Sequence, residues 1–362
     1  MIALLSLAVW LYLAFAHGRF WRSGPELPPA EPLAAPDVDV IVPARDEAET
    51  IGPVIASLLA QRYAGRFRVI LVDDGSTDGT AEAAGRAPGL TTITAPAKPA
   101  GWSGKLWALR QGIAAGQAPV LLFTDADIVH DPRHLAALMA RLEQPGADLV
   151  SEMVRLNCES LAERALVPAF VYFFQMLYPF ARVNDPAARV AAAAGGTVLI
   201  RRAALERIGG IESIRGALID DVTLARAVKR GGAVYLGHSG LAASIRPYRG
   251  AGDIWRMIAR TAFTQLRHSA ALLAATLAGL ALVWWAPPLE ALFAHGWRRW
   301  AGAAACALAA ASFQPTLRRY RLNPAWALAL PLVAGFYMAA TVGSALEHWF
   351  GGGARWKSRS YG

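Results

Sequence analysis

Between Val38 and about residue 155, short apolar runs alternate with stretches of amphipathic helical pattern. The runs VDVIVPA, FRVILVDDG, PVLLFTDAD and ADLVSEMV have the length and composition of buried strands. Between the first two, Ile51, Val54, Ile55 and Leu58 recur at the spacing of one helix face. This alternation predicts an α/β fold with a mostly parallel sheet and helices on both faces. Ligands of such sheets bind beyond the carboxyl ends of the strands.

Apolar segments flank this region on both sides. Residues 1–16 are almost wholly apolar, and no basic residue precedes them, whereas Arg19 and Arg22 follow. This asymmetry favours an uncleaved anchor over a cleaved signal peptide, with the next segment in the cytoplasm. The predicted organisation is an anchor (1–22), a Pro-rich linker (23–36), an α/β domain (37–267), a C-terminal transmembrane region (268–350) and a basic tail (351–362).

The C-terminal region is apolar and basic. Residues 270–286 and 325–346 are long enough to span a bilayer, while 300–313 is short, so we expect three or four spans with the anchor included. Nine Arg or Lys against two acids after residue 266 indicate membrane topology signals rather than a nucleic-acid surface. The side of the membrane on which the C-terminus lies stays open. The two cysteines, Cys158 and Cys306, form no zinc or disulfide pattern.

The third apolar run ends in two carboxylates, Asp125 and Asp127, separated by one alanine. An unpaired buried carboxylate is costly, so something must offset the charge. Three interpretations are open: the pair caps a helix, it binds a lysine or arginine, or it holds Mg²⁺ or Mn²⁺.

Other acidic groups stand at similar places. Asp73 and Asp74 end the second strand, Glu47 follows the first, and Asp220 and Asp221 begin a helical pattern. Turn formation and helix capping each explain a single one of these acidic groups. They explain less well why acidic groups recur at strand ends and helix starts throughout one parallel domain.

No P-loop, dinucleotide-binding or nucleophile-elbow motif competes with these carboxylates as a site. His130 and His134 are four residues apart, but Asp131-Pro132 between them indicates a helix start rather than a metal pair.

Six segments together resemble family 2 glycosyltransferases of the GT-A fold over residues 37–265. They are VIVPARDEAETIGPVIASLLAQ, VILVDDGSTDGTA, GKLWALRQGI, FTDADIVHDP, AAGGTVLIRRAALERIGGI and IDDVTLARAVKRGG. With the flanking apolar segments and the closing RWKSRSY, the chain is similar to the hopanoid-biosynthesis-associated group of bacterial glycosyltransferases, which is related to ceramide glucosyltransferases.

The resemblance implies a role for each site residue. Asp221 would be the general base, Asp127 would bind the divalent cation (Mg²⁺ or Mn²⁺), and Asp125 would contact the ribose. The nucleotide pocket would be formed by Pro43, Ala44, Arg45, Glu47, Asp74 and Lys105, with Asp74 on the uracil and Lys105 near the base or phosphates.

Two departures from the family pattern qualify these roles. Arg45 replaces the usual asparagine or tyrosine. The Q-x-x-R-W motif of processive members is reduced to Met257, Arg260 and Thr261. Arg260 could still clamp the diphosphate, and the missing tryptophan favours transfer of a single sugar over chain extension.

The resemblance therefore implies an inverting enzyme that moves one sugar from a UDP-sugar to a lipid acceptor at the cytoplasmic membrane, with its catalytic domain in the cytoplasm. Residues 161–181, apolar and aromatic, are expected to lie as a helix in the headgroup layer, with a core helix as the alternative. A polyprenyl-phosphate sugar transferase and a non-catalytic nucleotide-sugar-binding scaffold remain as alternatives.

Overall fold

The computed structural model describes residues 1–351, 354–356 and 359–361, so part of the predicted basic tail, including Lys357, lies outside the described residues. The chain divides into two units, each built from separate stretches of sequence. We call Pro25–Asn157 with Arg182–Pro247 the sheet unit. We call Met1–Gly24, Cys158–Ala181 and Tyr248–Gly362 the helical unit. The domain boundaries expected from the sequence stay a prediction.

The helices are numbered along the chain. They are α1 (Ile2–Phe15), α2 (Ala48–Leu59), α3 (Thr80–Ala84), α4 (Gly104–Ala115), α5 (His134–Leu142), α6 (Leu161–Leu177), α7 (Phe180–Val183), α8 (Arg202–Arg207), α9 (Asp220–Val228), α10 (Ala251–Gln265), α11 (Ala270–Leu280), α12 (Ala286–Phe293), α13 (Trp297–Arg319) and α14 (Leu330–Phe350).

The sheet unit is organised around one sheet. Its strands are β1 (Val38–Ala44), β2 (Phe67–Asp73), β3 (Leu90–Thr94), β4 (Val120–Thr124), β5 (Ile128–His130), β6 (Ala147–Arg155), β7 (Thr197–Arg201) and β8 (Ala233–Ser244). Their order across the sheet is β3-β2-β1-β4-β7-β6-β8-β5. The pairs β1/β2, β2/β3, β1/β4 and β6/β8 are parallel, whereas β7 is antiparallel to β4 and β6, and β5 to β8. The predicted α/β class with a mostly parallel sheet is confirmed.

The apolar strands have no regular alternation with polar residues along their length, because both faces of the sheet are covered. Every residue of β1 is buried, as expected for a central parallel strand. The predicted helix face of α2 is correct, since Ile51, Val54, Ile55 and Leu58 are all buried in the core. From β1 the chain moves outward to β2 and β3 and later returns to add β4 on the other side. The crevice between β1 and β4 is therefore the switch point where open α/β sheets bind ligands.

The helical unit contains long apolar helices. Two of them, Ala270–Phe293 and Pro324–Phe350, are long and apolar enough to cross a membrane by length and composition, whereas Ile2–Phe15 is a shorter apolar helix. Ala270–Phe293 passes through a π-helical turn at Ala281–Trp285. Among the described residues, two of the three or four predicted spans thus have the required length and hydropathy.

Helix α6 lies within the helical unit, and eight of its seventeen residues are buried. It begins with a capping box in which Ser160 and Glu163 satisfy each other's backbone N–H groups. The hydroxyl of the fully buried Tyr172 lies 2.6 Å from Ser312 Oγ, and Tyr337 donates to the Leu166 carbonyl. The location of this helix in the headgroup layer stays a prediction.

Candidate active site

The carboxyl ends of three parallel strands meet at one edge of the sheet. β1, β2 and β4 run in the same direction, with Ala44 opposite Asp73 and Ile41 opposite Phe123. The segments that follow these strands carry the predicted residues, and the antiparallel β7 begins at the same edge because Thr197 pairs with Thr124. The sheet topology thus places residues distant in sequence beside one another.

Asp127 is paired with an arginine that the sequence analysis did not identify. Arg246, just after β8, donates from Nε to Asp127 Oδ2 at 2.8 Å and from one Nη to both Glu47 oxygens at 2.6 and 2.7 Å. Ser244 also donates to Asp127 Oδ2 at 3.1 Å. Burial acts to lower the pKa of Arg246, but Asp127 and Glu47 outweigh it and raise that pKa. One guanidinium therefore joins the segments after β1 and β4.

Lys105, near the start of α4, connects the other carboxylates. Its Nζ lies 2.7 Å from Asp125 Oδ1 and 3.6 Å from Asp220 Oδ2, and it donates to the Gly195 carbonyl at 3.3 Å. Burial acts to lower the pKa of Lys105, and Asp125 and Asp220 together raise it. Of the three interpretations of Asp125 and Asp127, the structure contains the second, because each carboxylate is paired with a basic side chain.

Asp221 is the second residue of α9. Its Oδ1 accepts a hydrogen bond from the Val222 N–H at 2.7 Å, and the Gly195 backbone also donates to the carboxylate. Burial raises the pKa of Asp221 to about 7, repulsion from Asp220 adds to the rise, and Lys105 opposes it. A carboxyl group with a pKa in this range can accept a proton near neutral pH.

The backbone at residue 195 approaches these groups closely. A Cβ at Gly195 would lie 3.2 Å from Asp221 Oδ2 and 3.2 Å from Lys105 Nζ. A side chain there would crowd both charged groups, which explains the glycine.

The loop after β2 forms a turn that is tied to the loop after β1. Asp73 Oδ1 accepts from Ser76 N at 2.9 Å, so Asp73 acts as a turn residue. Asp78 Oδ2 accepts from Ala48 N, at the start of α2, at 2.9 Å. Asp74 is buried, and its carbonyl accepts from Arg45 Nη1. Arg45 therefore stabilises the two loops against each other.

The structure brings together most of the residues predicted for the site. Glu47, Lys105, Asp125, Asp127 and Asp221 lie in the ion-pair network just described or contact it. Pro43 and Ala44 end β1, and Arg45 and Asp74 follow at the same edge.

Arg260 lies on α10 of the helical unit and is exposed, so its role at the diphosphate stays a prediction. Arg246 and Gly195 were missed. The Arg-Pro pair after β8 and the double glycine before β7 are the only local signals for them.

Asp127 and Glu47 are the candidate ligands of a divalent cation. Within the ranges that the structure describes, no three His, Cys, Asp or Glu side chains cluster as a complete metal site. Mg²⁺, however, commonly takes only one or two carboxylates from the protein, plus substrate phosphates. Asp127 and Glu47 supply oxygen ligands of this kind, already gathered around a positive charge. They fit a divalent cation if the cation replaces the Arg246 guanidinium at Asp127.

Comparison with known families agrees with this geometry. Residues 39–209 match the sequence model of Glycosyl transferase family 2. The match covers 171 of the 362 residues, from β1 to α8, and includes all the site residues of the sheet unit before α9.

Among solved structures, a mannosyltransferase from Pyrobaculum calidifontis in complex with GDP-Man and Mn²⁺ has the same fold. It superposes with a TM-score of 0.60 at 21% identity, covering 97% of this chain and 98% of that one.

Curated relatives match shorter stretches. A dodecaprenyl-phosphate galacturonate synthase of Rhizobium johnstonii is 27% identical over 123 residues, covering 33% of this chain and 36% of the relative. A 4,4'-diaponeurosporenoate glycosyltransferase of Staphylococcus aureus is 37% identical over 90 residues, covering 25% and 23%. The chain thus spans between about a quarter and a half of the length of the curated relatives it matches.

Proposed function

We propose that this protein is a membrane-bound inverting glycosyltransferase that moves a single sugar from a UDP-sugar to a lipid acceptor. The observation that carries the proposal is the joined pair of acidic clusters, Asp125 with Asp127 and Asp220 with Asp221, at the switch point of a family 2 domain. One cluster has the chemistry to hold the donor, and the other contains a carboxyl group suited to accept a proton.

In this proposal Asp221 takes the proton from the acceptor hydroxyl as the hydroxyl oxygen attacks the anomeric carbon. Its pKa of about 7 keeps an ionised fraction at neutral pH and makes it a stronger base than an ordinary aspartate. Lys105 lies close enough to Asp125 and Asp220 to keep the two acidic clusters beside each other. A divalent cation at Asp127 would stabilise negative charge on the departing diphosphate.

The helical unit supports a lipid acceptor. Only 17% of the apolar stretch in Ala270–Phe293 and 39% of that in Pro324–Phe350 is buried. Exposed apolar side chains on such helices are expected in contact with lipid. The multi-pass location in the cytoplasmic membrane and the cytoplasmic catalytic domain are part of the proposal. Hopanoid biosynthesis as the setting rests on the sequence resemblance alone.

A second candidate is sugar transfer to a polyprenyl phosphate. The relative from Rhizobium johnstonii favours it, because its name describes a synthase that uses dodecaprenyl phosphate. The relative from Staphylococcus aureus is named for a carotenoid acid acceptor. Both acceptors are long isoprenoid lipids, so the two candidates differ in whether the accepting oxygen belongs to a phosphate or to another group.

The test is transfer by the purified full-length protein in detergent, with UDP- and GDP-sugars as donors. Acceptors are a hydroxylated hopanoid, ceramide and a polyprenyl phosphate. We expect a UDP-sugar and a non-phosphorylated lipid to give product, and Asp221→Asn to lower turnover at least about 100-fold with UDP binding unchanged within a few-fold. Product only with the polyprenyl phosphate would favour the second candidate.

Two controls separate catalysis from binding. EDTA and Asp127→Asn are both expected to abolish transfer, and a rate unchanged by EDTA would contradict the cation role. Nucleotide binding without transfer to any lipid, in wild-type protein, would favour a non-catalytic scaffold.

A further inference from the structure

Behind the active site, four buried side chains form a continuous hydrogen-bonded row within the sheet unit. His134 Nε2 lies 2.6 Å from Glu152 Oε2, and His134 Nδ1 lies 2.7 Å from His130 Nδ1. His130 Nε2 lies 3.0 Å from Thr124 Oγ1, which is also 3.0 Å from the Gly196 carbonyl oxygen. The exposed fractions are 0% for His134 and Glu152, 5% for His130 and 1% for Thr124.

The distances limit where the protons lie. Two ring nitrogens at 2.7 Å share one proton, and the Thr124 hydroxyl has one hydrogen for two neighbours. Burial lowers the pKa of His130 well below its usual value, so His130 is neutral. All contacts are satisfied in one order: His134 Nδ1–H donates to His130, His130 Nε2–H donates to Thr124, and the Thr124 hydroxyl donates to Gly196.

This order requires one further proton between His134 Nε2 and Glu152 Oε2. With it, the row is electrically neutral overall, whether the proton lies on the imidazole or on the carboxyl group. Without it, a net negative charge would be buried, and Glu152 Oε1 has no hydrogen-bond partner among the described residues to offset that charge. The Thr124 hydroxyl would then turn to His130 and leave the Gly196 carbonyl.

The row ends at the Gly195–Gly196 backbone segment, which lies between the two acidic clusters. The Gly196 carbonyl also accepts from Asp125 N at 3.3 Å, and the Gly195 carbonyl accepts from Lys105. Gly195 N–H donates to the Asp221 carboxylate. A shift of this backbone segment would therefore move the contacts of Asp125, Lys105 and Asp221 together.

We propose that Glu152, His134, His130 and Thr124 form a positioning relay, which retains one buried proton and thereby holds the Gly195–Gly196 backbone segment against both acidic clusters. The order of hydrogen bonds is a property of the folded sheet unit, while the effect on sugar transfer rests on the proposed function. The two parts are tested separately.

The hydrogen-bond order is tested by ¹⁵N NMR of histidine-labelled full-length protein, with signals assigned from those lost in His130→Asn and His134→Asn. We expect His130 to be protonated at Nε2 and unprotonated at Nδ1, and His134 to be protonated at Nδ1. A His130 ring protonated at Nδ1 would reverse the direction of donation and overturn the relay.

The positioning role is tested with Thr124→Val, which removes the hydroxyl and keeps the shape. Thr197→Val is a matched control, because Thr197 is also fully buried at the same edge and its hydroxyl has no partner among the described residues. We expect Thr124→Val to lower kcat about tenfold with the donor KM within about twofold, and Thr124→Ser to restore most of the rate.

Equal rates for Thr124→Val and Thr197→Val would overturn the positioning role even if the nitrogen signals support the hydrogen-bond order. A wild-type protein inactive with every donor and acceptor would contradict the proposed function, and the nitrogen signals would then decide whether the relay exists.

Discussion

Replacing Arg246 by glutamine is expected to strengthen the binding of Mn²⁺ to the nucleotide-free protein. In the wild type the guanidinium occupies Asp127 and Glu47, so an incoming cation must first displace it from Asp127. Arg246→Gln keeps hydrogen-bonding capacity but removes the positive charge that competes with the cation for Asp127. The substitution therefore raises cation affinity because it removes a favourable contact that exists only in the cation-free protein.

The size of the effect follows from the exposure of the three side chains. Arg246 is 35% exposed, Glu47 9% and Asp127 13%. Exposed ion pairs contribute about 0.2–1 kcal/mol, and breaking buried ones costs about 3–5 kcal/mol. With one partner in contact with solvent, the Asp127 contact is expected to contribute about 1–2 kcal/mol, which corresponds to roughly a 5- to 30-fold gain in Mn²⁺ affinity.

Electron paramagnetic resonance of free Mn²⁺ measures this affinity without nucleotide and without turnover. Arg207→Gln is the matched control, because Arg207 pairs with Asp148 at similar exposure and its loss changes the net charge equally. An affinity unchanged in Arg246→Gln, or raised as much in Arg207→Gln, would refute competition between guanidinium and cation at Asp127.

Three further predictions concern the base, the glycine and the orientation. Since the pKa of Asp221 is raised to about 7, the rate of transfer should increase as pH rises through about 7. Asp220→Asn should move the midpoint of this increase to lower pH, because it removes a like charge beside Asp221. A pH–rate profile that is the same in Asp220→Asn and wild type would assign the base elsewhere. Gly195→Ala should lower turnover at least about tenfold because its Cβ crowds Asp221 and Lys105, with a Tm within a few degrees of the wild type by calorimetry. A reporter active only in the periplasm and fused after Gly146 should stay silent, and a strong signal would contradict the cytoplasmic orientation.

The regular part of the fold could be predicted because its signals are local. The apolar runs at β1, β2, β4 and β6 and the helical pattern of α2 and α5 depend on neighbouring residues alone. The helix start expected between His130 and His134 was correct, since α5 begins at His134. The strands β3, β5, β7 and β8 were not identified, because β3, β5 and β7 have five residues or fewer and β8 has a mixed composition.

The site was predicted as a set of acids, and pairing of Asp125 and Asp127 with a lysine or arginine was one of three open interpretations. Position at the end of a strand is visible in the sequence, and it indicated Asp125 and Asp127. The choice of partner is not visible, because Arg246 is 119 residues from Asp127 and reaches it only through the pairing of β5 with β8. The hydrogen-bonded row from Glu152 to Thr124 was not predicted for the same reason, because its members come from different elements of the fold.

The interleaving of the two units determines how the catalytic part can be produced. The sheet unit is interrupted by Cys158–Ala181, so no contiguous fragment contains it without α6. In the folded chain Val167, Val171 and Tyr172 of this helix are fully buried. A fragment from 25 to 247, trimmed at both ends, would expose them, at about 1.5–3 kcal/mol for each side chain, and would tend to aggregate. A soluble version of the catalytic part therefore requires the redesign of residues 158–181, and removal of the terminal helices is not sufficient.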